Sequence, residues 1–433
     1  MKTAVVIGGG LAGLFSAKLL VKKGFKVKII DSSKRLGGLI SSVKYKNYYF
    51  DHGSHIAQET GDKDINKILF SSQKKNFFSY KFLPQNHYFN NKWYNDSSFL
   101  NLNLLGKKKY HKYLNEIIKN DNLKKINFKN EKERCKFLYG SSLTNEVFEP
   151  LIKKKTGYKL SNLPTKIIQI FNFSRVIIGE NKTINKLKKK SYYDKILAFN
   201  SYRKGLSGRK NLYPRKKGIN NLIELFLTKS FLSKVKIILN ENIVSIKIKN
   251  KKIENLQTNK RTLNGDLFIW TGSIENLNSL IFKKKGKNGN KKFYWNFFHY
   301  LSNKLLQKKV FYSYIYDKGS PLHRVTFYDN FQKKKNKKKF RITVEYILPK
   351  KNLDSEIVNK EIINYLKKIK ILKRDNEIEL VKNYNIPISI KSKNKVKNKD
   401  FLKIKNLFVC GQVSGETSKQ NIVIDIFNKI SKI

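Results

Sequence analysis

The chain has 433 residues, 40% of them hydrophobic and 13% aromatic, material for roughly two or three domains and enough apolar side chain to bury a sizeable core. A wholly disordered tail protein and a small disulfide scaffold are thereby excluded. Lys and Arg number 92 against 31 Asp and Glu, a formal net charge of +61.

That charge is spread rather than gathered. Only ten of the basic residues are Arg, and the Lys runs 153–155, 188–190, 283–285, 333–335 and 337–339 are scattered along the chain. Recognition of phosphates and bases favours the planar, bidentate guanidinium. With Ala at only five positions, the pattern reads as a compositional bias in which Lys is the default solvated residue. No specific nucleic-acid partner is expected, only weak, salt-dependent attraction to polyanions. Departures from the bias stand out: eight of the 23 glycines and three of the five alanines fall in the first 53 residues.

Two distant cysteines, Cys135 and Cys410, offer neither a disulfide framework nor a metal motif and suit a reducing, cytoplasmic setting. The opening MKTAVVIGGGLAGLFSAKLL has the outline of a signal peptide, but Gly8-Gly9-Gly10 breaks its apolar stretch. No apolar run reaches the length a membrane span needs.

In chain order, residues 3–7 (TAVVI) read as a buried parallel strand. Gly8-Gly9-Gly10-Leu11-Ala12-Gly13 follows, a G-x-G-x-x-G turn. Leu14, Ala17, Leu19, Leu20 and Val21 then mark a helix ending in Lys22-Lys23-Gly24, cations and a glycine where a helix C-terminus favours them. Residues 25–30 form a second strand closing on Asp31. In such a unit Gly8 makes the tight turn, Gly10 admits a pyrophosphate to the backbone, and Gly13 lets helix and strand pack closely. The N–H groups of Leu11 and Ala12 at the helix start face the phosphates. Asp31, eighteen residues past Gly13, would accept hydrogen bonds from a ribose.

Beyond it come Ser32-Ser33-Lys34-Arg35-Leu36-Gly37-Gly38 and Phe50-Asp51-His52-Gly53-Ser54-His55. This block resembles the FAD-binding signature of the flavin amine oxidase, protoporphyrinogen oxidase and phytoene desaturase superfamily. The resemblance implies FAD as cofactor, with Ser32 beside the acid and Arg35 reaching the pyrophosphate. It also implies that Gly37, Gly38, Gly53, Ser54 and His55 lie against the cofactor. The acid is Asp where the family usually has Glu, and Leu39 stands where many members carry Arg. Asp51, His52 and His55 raise a metal alternative, but without an obvious further ligand no metal is expected.

Further patches extend the likeness. Residues 137–158 resemble the start of a helical substrate-side insertion, and Leu212–Gly218 the point where the chain re-enters the cofactor domain. Residues 235–248 read as strand, Asn-rich turn and strand, and by resemblance Val244 would meet the adenine. Residues 263–272 resemble a strand that returns to the cofactor. Residues 310–316 and 340–348 read as half-buried strands of an antiparallel sheet flooring the substrate pocket, flanking a solvated Lys333–Lys339 loop. Between them Ser320–Val325 is similar to a segment of UDP-galactopyranose mutase. His323 and Arg324 are thus candidates to bind an anionic substrate, with a surface turn as the alternative. The final strand, 406–412, resembles the last flavin-contacting strand, placing Gly411 and Gln412 at the cofactor.

The expectation is an α/β protein with a Rossmann-like FAD/NAD(P)-binding domain, built from 1–75, 205–275 and 400–433. A substrate domain of helices and antiparallel sheet spans 76–204 and 276–399. The resemblance implies oxidation of a C–N or C–C bond of a small-molecule substrate, with hydride passing to flavin N5. A flavin-dependent mutase acting on a nucleotide sugar, and a non-enzymatic cationic binding protein, stand as alternatives. No catalytic base is named; His55, His323 and Arg324 are the candidates for chemistry. Peripheral membrane association, which the superfamily includes, stays open.

Overall fold

The computed structural model describes residues 1–433 except 71–74, 120–126, 283–291, 333–337, 351–353, 374, 391–399 and 412–417. The chain divides into two compact units. One comprises Met1–Tyr80, Arg209–Asn288 and Val396–Ile433; the other, Lys81–Gly208 and Gly289–Lys395.

Five parallel strands carry the first unit, in the spatial order Val235–Ile238, Lys26–Ile30, Thr3–Ile7, Leu267–Trp270 and Leu407–Val409. Ranked along the chain this is 3-2-1-4-5, the doubly wound order. Continuous apolar runs such as TAVVI and LFIW suit it, because both faces of a parallel sheet are covered. Alternation divides the strands between two cores. Ala4, Val6, Ile29 and Ile269 pack with Leu14 and Ala17 of helix Leu11–Lys22 and with Val423 and Ile426 of helix Lys419–Ile430. Val5, Ile7, Ile30, Phe268 and Trp270 face the other way, onto Leu256, Leu263 and Leu277. The strand–turn–strand read at 235–248 is present, but its halves part company. Val235–Ile238 joins the parallel sheet, while Ile243–Lys249 opens a three-stranded meander with Lys252–Thr258 and Thr262–Asn264.

In the second unit seven strands run in the order Ile378–Ser389, Lys292–Ser302, Phe340–Leu348, Leu322–Phe327, Tyr312–Tyr316, Gln85–Phe89 and Lys92–Tyr94. The sheet is mixed rather than wholly antiparallel: Tyr312–Tyr316 lies parallel to Gln85–Phe89. A parallel neighbour needs a long crossover, and here the intervening chain supplies helices such as Lys107–Lys119, Glu131–Tyr139 and Glu149–Thr156. Nor do the strands expected at 310–316 and 340–348 flank a simple loop. The chain turns back at 317–321, where Gly319 N donates to Asp317 Oδ1 at 2.7 Å, and Leu322–Phe327 enters the sheet between them. Most of the Lys333–Lys339 loop lies outside the described residues.

Helix Ser355–Lys368, capped by the Asp354 carboxylate, covers one face of this sheet through Val358, Ile362 and Leu366. Side chains of the three crossover helices, among them Tyr113, Tyr139 and Leu151, pack with Phe293, Tyr314 and Ile347 in another core. Among the described residues no helix is long and apolar enough to cross a membrane.

Candidate functional site

The first unit concentrates its special backbone at the end of strand Thr3–Ile7. Gly8 has a φ of +109°, open to glycine and strained for other residues. A side chain on Gly13 would place its Cβ 1.7 Å from the Gly8 carbonyl oxygen, so the helix approaches the turn as closely as it does only because position 13 is glycine. Helix Leu11–Lys22 starts at Gly10 with no side-chain cap among the described residues, which leaves its first N–H groups to a ligand. Gly37, at φ +114°, donates its N–H to Gly9 O at 2.8 Å and bridges Gly10 in parallel. Around Gly10 the backbone is open: an added Cβ there would meet nothing closer than Gly37 O at 4.0 Å. The result is a cradle walled by glycine main chain.

Asp31 ties this cradle to the second strand. Its Oδ2 accepts from Gly9 N at 2.6 Å, and its Oδ1 accepts from Ser33 N at 2.8 Å and Ser33 Oγ at 2.5 Å. A carboxylate has about four acceptor sites, so capacity remains for a ribose hydroxyl. Beside it opens a cavity of about 510 Å³ lined by Gly8, Asp31, Ser32, Asn242, Trp270 and Asn276, among others, within the range of small-molecule sites. Glu241, on the same wall, is held from behind: Arg261 pairs with its Oε1 at 2.8 Å and Thr258 Oγ1 donates to its Oε2 at 2.9 Å. The uncapped helix start, the glycine-lined opening and the acid at the cavity mouth fit the ADP half of a dinucleotide such as FAD.

The other sequence candidates fall in several places. Leu11 and Ala12 form the first helical turn. Gly38 lies against Gly10, with a built Cβ 3.5 Å from Gly10 Cα. Arg35 is exposed and donates to Ser42 O at 3.3 Å. Gly53, at φ +87°, turns the chain after strand Tyr48–Asp51, with Ser54 and His55 half-buried beyond it. Gly411 brings the last strand onto the first helix, an added Cβ there lying 2.9 Å from Ala12 Cβ. Val244 sits at a register shift in its strand and is 52% exposed, while its neighbours Asn242 and Ile243 line the cavity. Gln412 lies outside the described residues. Burial pushes the Cys410 thiol up to about 12, which suits a small buried hydrophobe.

Sequence reasoning missed Glu241, Asn242 and the 273–280 part of the wall, although it expected residues 263–272 to return to the cofactor. The signal for the latter was faint: strand Leu267–Trp270 runs into Thr271-Gly272, and Thr271 Oγ1 donates back to Ile7 O at 2.8 Å beneath the glycine turn. Asp51, to which the resemblance assigned no contact with the cofactor, plays a structural part. Fully buried, it accepts from Ser42 Oγ at 2.7 Å, Tyr213 OH at 2.7 Å and Ile219 N at 3.0 Å. It thus clasps the segment where the chain re-enters this unit.

In the second unit His323 and Arg324 stand in strand Leu322–Phe327 and form no surface turn. Arg324 donates Nε to Glu345 Oε1 at 2.6 Å, Nη2 to Glu345 Oε2 at 3.1 Å and Nη1 to Tyr314 OH at 2.9 Å. The charge it would offer an anionic substrate is therefore already balanced by a buried carboxylate. Trp295 Nε1 donates to the same carboxylate at 2.9 Å. His323 is buried, and desolvation first, then Lys155 and Arg324, hold its pKa well below the usual range. Its surroundings thus favour the neutral imidazole.

Residues 6–69 match the family model of the NAD(P)-binding Rossmann-like domain. With its parallel sheet, glycine turn and Asp31, the first unit is a Rossmann-like dinucleotide-binding domain. Over 99 residues, 23% of the chain, this protein is 32% identical to 1-hydroxycarotenoid 3,4-desaturase of Flavobacterium sp. (strain P99-3), covering 20% of that protein. Over 82 residues, 19% of the chain, it is 37% identical to the flavin-containing amine oxidase A of Sus scrofa, covering 15% of it. The chain thus spans a fifth or less of the length of these curated relatives. Among solved structures, reduced UDP-galactopyranose mutase superposes with a TM-score of 0.74 at 14% identity, covering 100% of this chain and 93% of that one. A protoporphyrinogen oxidase-like protein from Exiguobacterium sp. 255-15 gives 0.67 at 11% identity, covering 100% and 98%. The whole chain shares the fold of these proteins.

Proposed function

We propose that the protein is an FAD-dependent oxidoreductase, similar to flavin amine oxidases and protoporphyrinogen oxidase, that oxidises a C–N or C–C bond of a small-molecule substrate. The observation that carries this reading is the glycine cradle at the uncapped helix, with Asp31 and the adjoining cavity beside it. Relatives over part of the chain, a desaturase and an amine oxidase, agree with it. When bound, FAD supplies a two-electron acceptor that takes a hydride at N5. The chain's own residues do the holding. Gly10, Gly37 and Gly38 let main chain meet the pyrophosphate, and the Leu11 and Ala12 N–H groups offset its charge. Asp31 accepts from the ribose, and the cavity behind it receives the adenine.

The visible absorbance of the purified protein, and identification of any flavin released on heating, test this directly. Released FAD supports the reading; a colourless protein that takes up no added FAD defeats it. A second reading, a flavin-dependent mutase on a nucleotide sugar, is favoured by the likeness of Ser320–Val325 to that enzyme. Turnover of UDP-galactopyranose without any electron acceptor would support it, and a strict need for an acceptor would support oxidation.

A further inference from the structure

Strand Leu322–Phe327 contains an irregularity with consequences for the face it presents. Leu322 pairs with Tyr346 and Arg324 with Glu345, so His323 is an extra residue, a β-bulge. Side chains alternate along a strand, and one inserted residue shifts every later side chain to the other face. Leu322 accordingly points into the core beneath helix Ser355–Lys368. His323 and Arg324 then share the opposite face. Arg324 falls there in a rung with Phe297, Glu345, Tyr314 and His87. The His323 ring stands edge-on to Trp295 at 5.0 Å, Tyr314 at 5.2 Å and Phe171 at 5.9 Å. Without the bulge, a guanidinium paired to Glu345 would be turned toward an apolar core.

A bulge also leaves backbone groups out of the ladder. The Leu322 carbonyl accepts from Lys155 Nζ at 2.6 Å, an amine carried by helix Glu149–Thr156 and 0% exposed. This is the one hydrogen bond Lys155 makes among the described residues. Lysine is seldom buried outright without a paired charge, so a fully buried amine spent on one main-chain carbonyl calls for a reason. His323 Nδ1 is itself buried and has no partner among the described residues, in a residue 1% exposed. Titratable and charged groups facing the pair are Asp317, Arg324, Glu345 and Tyr314.

We propose that Lys155 is a positioning residue that latches the His323 bulge and so turns His323 and Arg324 together onto the sheet face lined by Trp295 and Tyr314, where His323 Nδ1 awaits a hydrogen-bonding substrate group. The assignment of that face to substrate rests on the oxidoreductase reading; the latch itself does not.

Carbon-13 spectra of the full-length protein with labelled histidine test the latch. The chain has six histidines, and His323 is identified by the signal missing from His323→Gln. In the wild type this signal is displaced by the surrounding rings and, between about pH 5.5 and 8, moves only with the Lys155 amine and without the large shift of imidazole protonation. In Lys155→Met it is expected to move toward its ordinary position and to titrate, while amide exchange across Leu322–Phe327 accelerates about tenfold or more. Lys155→Gln, which keeps an N–H donor, recovers part of the wild-type signal. A folded Lys155→Met protein with an unchanged His323 signal and unchanged exchange overturns the latch. Should that variant not fold, labelled lysine in the wild type decides: protonation of Lys155 must displace the His323 signal, and independent titration overturns the proposal. FAD content of the same samples keeps the two readings apart. A colourless wild type with an intact latch defeats the flavoenzyme, and a yellow Lys155→Met protein with an unmoved His323 defeats only the latch.

Discussion

Two glycines in the same G-x-G-x-x-G segment make opposite predictions. Gly13→Ala drives a methyl to 1.7 Å from a backbone oxygen that has nowhere to go, so the variant should fail to fold or lose several kcal/mol, on the order of the largest single-site losses. Gly10→Ala meets no atom closer than 4.0 Å and should melt within about 2 °C of the wild type. On the proposed reading its methyl would nevertheless stand where a pyrophosphate would bind, so FAD uptake should fall by an order of magnitude or more. Thermal melts and flavin titrations of the pair check this; a Gly10→Ala protein that binds FAD normally would mean the cofactor lies elsewhere. At Asp51 the expectation is structural. Replacing it by Ala removes the buried acceptor of the Ser42 hydroxyl, the Tyr213 hydroxyl and the Ile219 N–H, at a cost of about 3 kcal/mol or more. Urea unfolding measures it, with Asp51→Asn recovering part of the loss.

Among the elements, helix Glu149–Thr156 carries the clearest pH signature. Burial lowers the Lys155 pKa from its usual value to about 7, with nearby Asp317 opposing the shift. The unfolded chain therefore binds more protons at this site than the folded one between about pH 7 and 10.5, and stability at this site rises with pH across that window. The slope is at most about 1.4 kcal/mol per pH unit. Urea midpoints at about pH 7.5 and 9 should therefore separate more in the wild type than in Lys155→Met; equal separations would show that the amine does not titrate in that range. This element also marks the limit of what sequence discloses. The strand, glycine turn, helix and Asp31 were legible because their pattern is local and each residue type has one physical reason to be there. A one-residue bulge at His323 leaves no periodic trace, and a lysine in a lysine-rich helix gives no hint that its amine is buried. The parallel pairing of Tyr312–Tyr316 with Gln85–Phe89 joins segments more than two hundred residues apart, beyond any local pattern. Residues at the cavity wall, such as Asn276, have the composition of an ordinary polar surface until the sheet order brings their helix beside Asp31.

For the molecule as a whole, the question is what a net charge of +61 does to it. Exposed ion pairs such as Lys247 with Glu254 and Lys112 with Glu146 exist, but such pairs contribute little and salt screens them. The interior pairs, Arg341 with Asp329 and Arg134 with Glu131, are sheltered from that screening. What remains for salt to act on is mostly the mutual repulsion of cations that outnumber acids about three to one, and self-repulsion destabilises a compact state. Melting temperature should therefore rise as sodium chloride goes from about 20 to 300 mM, the range over which the Debye length falls from roughly 20 Å to under 10 Å. A falling melting temperature would show that surface attraction outweighs repulsion despite the imbalance. The same field predicts retention on a polyanion column that is lost by about 200 mM salt. Retention that survives about 1 M salt would instead require contacts that ions do not compete for. The lysines would then have to be read as a binding face rather than as a compositional background.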